Sequence, residues 1–222
     1  MKKSLPETLS ETLSVLQSGG TILYPTDTVW GLGCDATDPD AVARIYRIKR
    51  RSDSKSLVLL ASDMDMIARY IKVIPRMAID LVGVNDRPMT LIYPGAITYS
   101  RPAASPAAPS LAAPDPAPVP GAGRADRYHL AWNTVASDGT VGIRIPMMDF
   151  CRQLIRKFGR PIVSTSANIS GEPAPRTFSD VPETIRSAVD CIVDPSLEAG
   201  ATGLASQIIK IGLDGQVQVI RP

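Results

Sequence analysis

The amino-acid sequence predicts an α/β protein with a mixed sheet. Short runs of apolar and β-branched residues alternate along the chain with segments whose apolar residues recur at helical spacing. Near the end, two such runs flank Asp214-Gly215, a turn that makes them antiparallel partners.

The elements follow in order. Leu9, Leu13 and Leu16 stand four and then three residues apart, and Gly19-Gly20 stops the helix they define. Residues 21–24 read as a strand. Asp38 is a good cap before an N1 proline, Pro39, and Val42, Ile45 and Tyr46 form an apolar face that carries the next helix to Lys49. The basic triplet Lys49-Arg50-Arg51 therefore sits at a helix end. Residues 56–61 form a strand, Ser62-Asp63 caps a helix with Ile67, Tyr70 and Ile71 inside, a short helix falls between Ile74 and Val84, and residues 88–93 form a strand. Residues 139–146 (GTVGIRIP) form a strand in which Arg144 points opposite to its apolar neighbours. Phe150, Leu154, Ile155 and Phe158 give a helix ended by Gly159, and residues 162–165 a strand. Ile185, Val189 and Ile192 mark a helix-to-strand unit, and 206–211 with 217–220 form the closing hairpin.

The 222 residues, 44% apolar, suffice for one substantial core, so a single domain over 1–222 is expected. Between Pro102 and Pro120 stand seven prolines and seven alanines, which cannot supply a core; an extended or mobile insert at about 101–127 is expected. Charge excludes some classes. Twenty-four Lys and Arg against 22 Asp and Glu leave +2, so no overall field draws the chain to nucleic acid or membrane, and any basic site must be local. Cys34, Cys151 and Cys191 are widely separated, odd in number and lack CxxC spacing, which points to reduced core residues. The start, MKKSLPETLSETLSVLQSGG, has no continuous apolar core of a signal peptide, and no run approaches the ~18 apolar residues of a membrane span. A soluble, cytoplasmic protein is expected.

Three clusters carry chemistry. Residues 161–171 (PIVSTSANISG) place Ser164, Thr165, Ser166, Ser170 and Asn168 directly after a short apolar strand. Residues 24–33 (YPTDTVWGLG) lead through Thr26, Asp27 and Thr28 to Gly31 and Gly33, and the triplet 49–51 adds fixed positive charge. Ser/Thr-rich turns often cap helices and bind nothing, and a basic helix end is often a solvated last turn. Together the three clusters suggest a site for an anionic, phosphate-bearing substrate. The pair Gly31 and Gly33 is followed by Ala36 where a dinucleotide fingerprint needs a third glycine, and a Walker-type P-loop sequence is absent. His129 is the sole histidine and lies at the exit of the insert, where it reads as incidental, so the chemistry must run without a histidine base.

Taken together, YPTDTVWGLGCDA, IKRRSDSKSL, GTVGIRIP, VSTSANISGEP and the closing VIRP resemble the YrdC-like threonylcarbamoyl-AMP synthase family in its short, single-domain form. The likeness covers the chain apart from the Pro/Ala insert. It implies an open, twisted mixed parallel/antiparallel sheet flanked by helices around a deep cleft. It also implies a nucleotidyltransferase activity that joins L-threonine, bicarbonate and ATP into threonylcarbamoyl-AMP with release of pyrophosphate, for modification of tRNA. By this resemblance Thr28, Arg144, Ser164 and Ser206 would surround threonine, Arg144 gripping its carboxylate. Lys49, Arg51, Thr140, Ser166, Asn168 and Arg221 would serve ATP, with Lys49 and Arg51 nearest the phosphates as the catalytic pair. Magnesium would ride on the triphosphate with no protein ligand assigned, and tRNA or tRNA-modifying enzymes are the implied partners.

A carbamate formed from the threonine amine is already an anionic nucleophile, so the missing histidine fits this chemistry; what remains is to align two anions and cancel their repulsion. Asp27 would touch the metal through water or close a turn after Pro25. Trp30 stands where Tyr or Phe is usual, Ser52 and Ser56 replace prolines, Leu60 stands where some members carry histidine, and Ala174 replaces a hydroxyl. The reading from another class is a non-catalytic RNA-binding module, disfavoured by few aromatics and near-neutral charge. A carbamoyl-adenylate former, like the related domain of hydrogenase maturation proteins, is the enzymatic rival; the zinc-finger cysteines of that family are absent here. Because helix-end charges are usually exposed, Lys49→Ala and Arg51→Ala are expected to leave stability nearly unchanged.

Overall fold

The computed structural model describes residues 3–51, 57–99 and 128–222. The expected insert, Ser52 and Ser56 lie outside the described residues.

The chain opens on α1 (Leu5–Gln17), started by a capping box in which Ser4 and Glu7 satisfy each other's backbone N–H groups, with Leu9 and Leu16 buried. β1 (Ile22–Tyr24) and β2 (Gly31–Gly33) follow as an antiparallel pair. β2 lies where the sequence reading placed no strand, only the close of a polar cluster on Gly31 and Gly33. Two glycines in three residues hide a strand from propensity, and at Gly33 the reason is packing: a side chain there would stand 2.7 Å from Tyr24 Cε1 and 2.9 Å from the Val163 carbonyl. α2 (Pro39–Ile48) is capped by Asp38, whose carboxylate accepts from the N–H groups of Asp40 and Ala41.

β3 (Val58–Leu60), α3 (Met64–Tyr70), α4 (Arg76–Val84) and β4 (Met89–Tyr93) come next, with Asp63 capping α3. β5 (Val141–Arg144), α5 (Asp149–Phe158) and β6 (Ile162–Ser166) follow, and Gly159, at φ 78, closes α5 as a left-handed C-cap. α6 (Glu183–Arg186), β7 (Cys191–Ile192), β8 (Gln207–Ile211) and β9 (Val217–Arg221) complete the chain.

Among the described residues nine strands form one mixed sheet in the order β7-β1-β2-β6-β3-β5-β4-β8-β9. β1 with β7, β3 with β5 and β4 with β8 are parallel, and the remaining neighbours are antiparallel. β5 lies inside this sheet, between β3 and β4, so Arg144 stands on an interior strand.

Register assigns the two faces different chemistry. Tyr24 pairs with Gly31 and Gly31 with Ser166; Ser164 pairs with Val58, Val58 with Gly142, and Leu60 with Arg144. Side chains of paired residues lie on one side of a sheet and alternate along each strand, so glycines, serines and one arginine share a face. The other face carries Leu23, Leu32, Leu59, Val163, Ile143, Leu91 and Ile209, all buried in the core to which α1, α2, α3 and α5 contribute. The three cysteines are buried and free. Among the described residues no helix is long and apolar enough to cross a membrane.

Candidate active site

The polar face opens into a cleft of about 280 Å³. Its lining comes from three directions: Thr26, Thr28 and Gly31 from the β1–β2 segment, Ser164, Thr165 and Ser166 from β6, and Ala174, Ala205, Ser206 and Arg221 from the C-terminal third. Arg51, Arg144 and the apolar Val29, Leu57 and Val58 complete it. Backbone N–H groups of Thr202 and Gly203 donate to the carbonyls of Asp27 and Thr28 at 3.0 and 2.8 Å, which holds the C-terminal wall against the β1–β2 segment.

The basic triplet meets three separate fates. Lys49 caps α2 and is 1% exposed; its ammonium donates to the backbone carbonyl of Ser166, to that of Asn168 at 2.8 Å and to Asn168 Oδ1 at 3.1 Å. Arg50 is exposed and takes a left-handed conformation, φ 49, which closes the helix as a Schellman motif: its N–H donates to Arg47 O and that of Arg51 to Tyr46 O. This reversal turns Arg51 into the cleft. The expectation that Lys49 is an exposed helix-end charge is thus corrected: α2 ends against β6, and the lysine lies buried between them. Burial, and after it the nearby Arg51, lowers Lys49 to about 8.

Arg144, also buried, donates to Asp27 Oδ1 at 2.5 Å and to Thr28 Oγ1 at 3.3 Å. The second oxygen of Asp27 accepts the N–H of Met147 at 3.2 Å. Asp27 therefore orients Arg144, a role the sequence had not assigned to it. No local pattern announces that pair, because 117 residues separate its members. Arg221 is likewise anchored: it lies in β9 and its Nε donates to the Ser206 carbonyl at 2.8 Å.

Of the residues singled out in the sequence, Arg51, Ser166, Arg221, Thr28, Arg144, Ser164 and Ser206 line the cleft. Lys49 and Asn168 stand behind it, joined to Ser166, whose hydroxyl donates to Asn168 Oδ1 at 2.6 Å. Thr140 is outside the lining and bonds to Asp138, itself paired with Lys210. His129 stacks on Tyr99 at 3.9 Å, away from the lining residues. Trp30 is buried, with its indole N–H on Glu198 at 2.6 Å and its ring against Phe178. Thr26, Gly31, Thr165 and Ala205 were not assigned roles from sequence; membership of the hydroxyl-rich segments is the signal that marks the first three.

The cleft's chemistry is that of an anion receptor. Three arginines line it beside hydroxyls, and one of them, Arg144, is paired with the Asp27 carboxylate. Among the described residues no group of three His, Cys, Asp or Glu side chains could hold a metal ion.

Fold and cleft define a mixed-sheet α/β protein with an arginine- and hydroxyl-lined cleft on one face of its sheet. The chain belongs to the Sua5/YciO/YrdC family, whose profile, described as "Telomere recombination", matches residues 14–222. It is 31% identical over 212 residues to a protein of Stenotrophomonas maltophilia named threonylcarbamoyl-AMP synthase, covering 95% of this chain and 96% of that one. Among solved structures, P. abyssi Sua5 complexed with L-threonine is 26% identical, with a TM-score of 0.69 over 95% of this chain. This chain spans 52% of that longer protein. E. coli YciO, 20% identical, matches in fold with a TM-score of 0.69 over 99% of this chain and 90% of its own.

Proposed function

We propose that this chain is a threonylcarbamoyl-AMP synthase, a nucleotidyltransferase that makes its product from L-threonine, bicarbonate and ATP and serves the modification of tRNA. The observation that carries this reading is the convergence of Arg51, Arg144 and Arg221 with the hydroxyls of Thr28, Ser164, Ser166 and Ser206 on one cleft. A relative of nearly equal length carries the name, and a structural neighbour binds L-threonine in the complex described for it.

Arg144, held by Asp27, takes the amino-acid carboxylate, and Thr28, Ser164 and Ser206 surround the rest of threonine. Arg51, Ser166 and Arg221 face the nucleotide. Lys49 and Asn168 fix Ser166 and place positive charge behind it. The threonine amine and carbon dioxide, from bicarbonate, form a carbamate and release a proton. A carbamate oxygen then attacks the α-phosphorus, the bond to the bridging oxygen breaks, and pyrophosphate leaves with the electron pair. The carbamate arrives ionised, so the cleft supplies alignment and charge cancellation without a side-chain base. Magnesium, carried by the triphosphate, neutralises phosphate charge when bound.

The deciding experiment measures pyrophosphate release from ATP with threonine and bicarbonate each omitted in turn. Turnover that needs both is expected. Tight RNA binding without turnover would favour a binding module, and turnover with carbamoyl phosphate in place of threonine and bicarbonate would favour a carbamoyl-adenylate former.

A further inference from the structure

Two glycines of β2 are on the sheet's polar face, and they are there for different reasons. At Gly33 the space of a side chain is filled by the Tyr24 ring and the Val163 carbonyl. At Gly31 it is not. A methyl group on Gly31 would lie 3.4 Å from Tyr24 Cε1, 3.5 Å from Thr26 Cγ2 and 3.6 Å from Ser164 Oγ, all ordinary contact distances, and the residue is not among the glycines with positive φ. Neither backbone conformation nor packing therefore requires glycine at position 31, although glycine weakens a strand interior. Gly31 is the one strand glycine among the described residues that lines the cleft.

A glycine that the fold does not need, at the surface where a ligand approaches, marks space kept for that ligand. The walls of this space have definite chemistry. On one side stands the Thr26 methyl; the Thr26 hydroxyl is turned away, bonded to Thr28 Oγ1 and the Val29 carbonyl at 2.8 Å each. On the other side stands the Ser164 hydroxyl. A recess one methyl group deep, with an apolar wall facing a hydroxyl, complements a small side chain that carries both groups.

We infer that Gly31 is a specificity-determining residue: the recess left by its missing side chain receives the side chain of the bound amino acid, the Thr26 methyl meeting the substrate's β-methyl and the Ser164 hydroxyl its β-hydroxyl. This rests on the threonine-binding reading above. It adds to that reading a way of telling threonine from serine, by a methyl contact that serine lacks, and a reason why larger side chains are refused.

The test titrates wild type, Gly31→Ala and Thr26→Ser with L-threonine, L-serine and ATP by calorimetry, with a thermal melt of each. Gly31→Ala should melt at or above the wild-type temperature, bind ATP unchanged, and lose about 10–200-fold in threonine affinity, the range set by one methyl group in a fitted pocket. Serine, smaller by that methyl, should lose less, so the threonine-to-serine ratio falls. Thr26→Ser removes the apolar wall and keeps its hydroxyl, and should lower the same ratio; it decides the matter if Gly31→Ala does not fold. An unchanged ratio in a folded Gly31→Ala, or in Thr26→Ser when the first variant is unfolded, overturns the inference while leaving the synthase reading intact. A wild type that binds ATP but no threonine overturns the synthase reading itself, and this inference with it.

Discussion

Lys49 directs its ammonium at two backbone carbonyls and one side-chain amide oxygen, and all three belong to the segment that positions Ser166. Truncation would strand buried acceptors, and each costs about 1–3 kcal/mol when left without a donor. Lys49→Ala should therefore lower the urea midpoint clearly, in contrast to the sequence-based expectation. Arg51 is half-buried and lines the cleft. Loss of one charge-assisted contact to phosphate, about 1.5–3 kcal/mol, should weaken ATP binding roughly ten- to hundredfold in Arg51→Ala, measured by calorimetry. Asp27 is the third residue-scale case. Asp27→Asn leaves the Arg144 guanidinium buried without its counter-charge, and breaking such a pair from one side costs about 3–5 kcal/mol. Urea unfolding should report that loss, and threonine binding should fall with it because Arg144 is no longer held.

At the scale of elements, the α2 terminus and β2 each place a functional residue through a backbone device. Arg50 closes α2 in the left-handed region, where a non-glycine residue is strained by roughly 1–2 kcal/mol. Its side chain is exposed, so Arg50→Gly should keep the Schellman closure and the direction of Arg51. Relief of strain, partly offset by the freer unfolded chain, should change stability by no more than about +1 kcal/mol, with activity retained. In β2 the two glycines predict opposite outcomes. Gly33→Ala forces a methyl group to within 3 Å of a ring carbon and a carbonyl, and overpacking of this kind costs about 1–3 kcal/mol, seen as a lower melting temperature. The elements themselves were legible because they follow from period and punctuation. Asp38-Pro39 starts α2, Gly159 ends α5, and Asp214-Gly215 joins β8 to β9, each as its residues dictate. β2 was not legible, since Gly33 answers to Tyr24 and Val163, and neither glycine to strand propensity.

For the whole molecule, the buried lysine ties stability and ligand binding to pH. Burial brings Lys49 from its ordinary 10.5 to about 8, so between those values the unfolded chain holds more protons than the folded one. The contribution of Lys49 to stability is accordingly lowest below about pH 8 and rises as pH climbs through that window, where urea titrations should detect it. Binding of a polyanion in front of Ser166 favours the charged lysine. ATP binding near pH 8 should thus take up a fraction of a proton, measured as a dependence of calorimetric enthalpy on the ionisation heat of the buffer. Lys49→Met should abolish the uptake.

The sequence by itself determined the succession of helices and strands, the polar segments and the family to which they belong, because periodicity, caps and turn residues act over a few neighbours. Assembly of those segments into one cleft needed the sheet order, which sets β6 between β2 and β3 and brings Arg221 beside Ser206. Three adjacent basic residues looked alike in the sequence, and the tertiary structure gave one to the interior, one to solvent and one to the cleft. Burial and pairing with distant residues decide what a charge does, and neither quantity is a property of the local chain. The same holds for Asp27, whose partner Arg144 is fixed only when β5 takes its place inside the sheet.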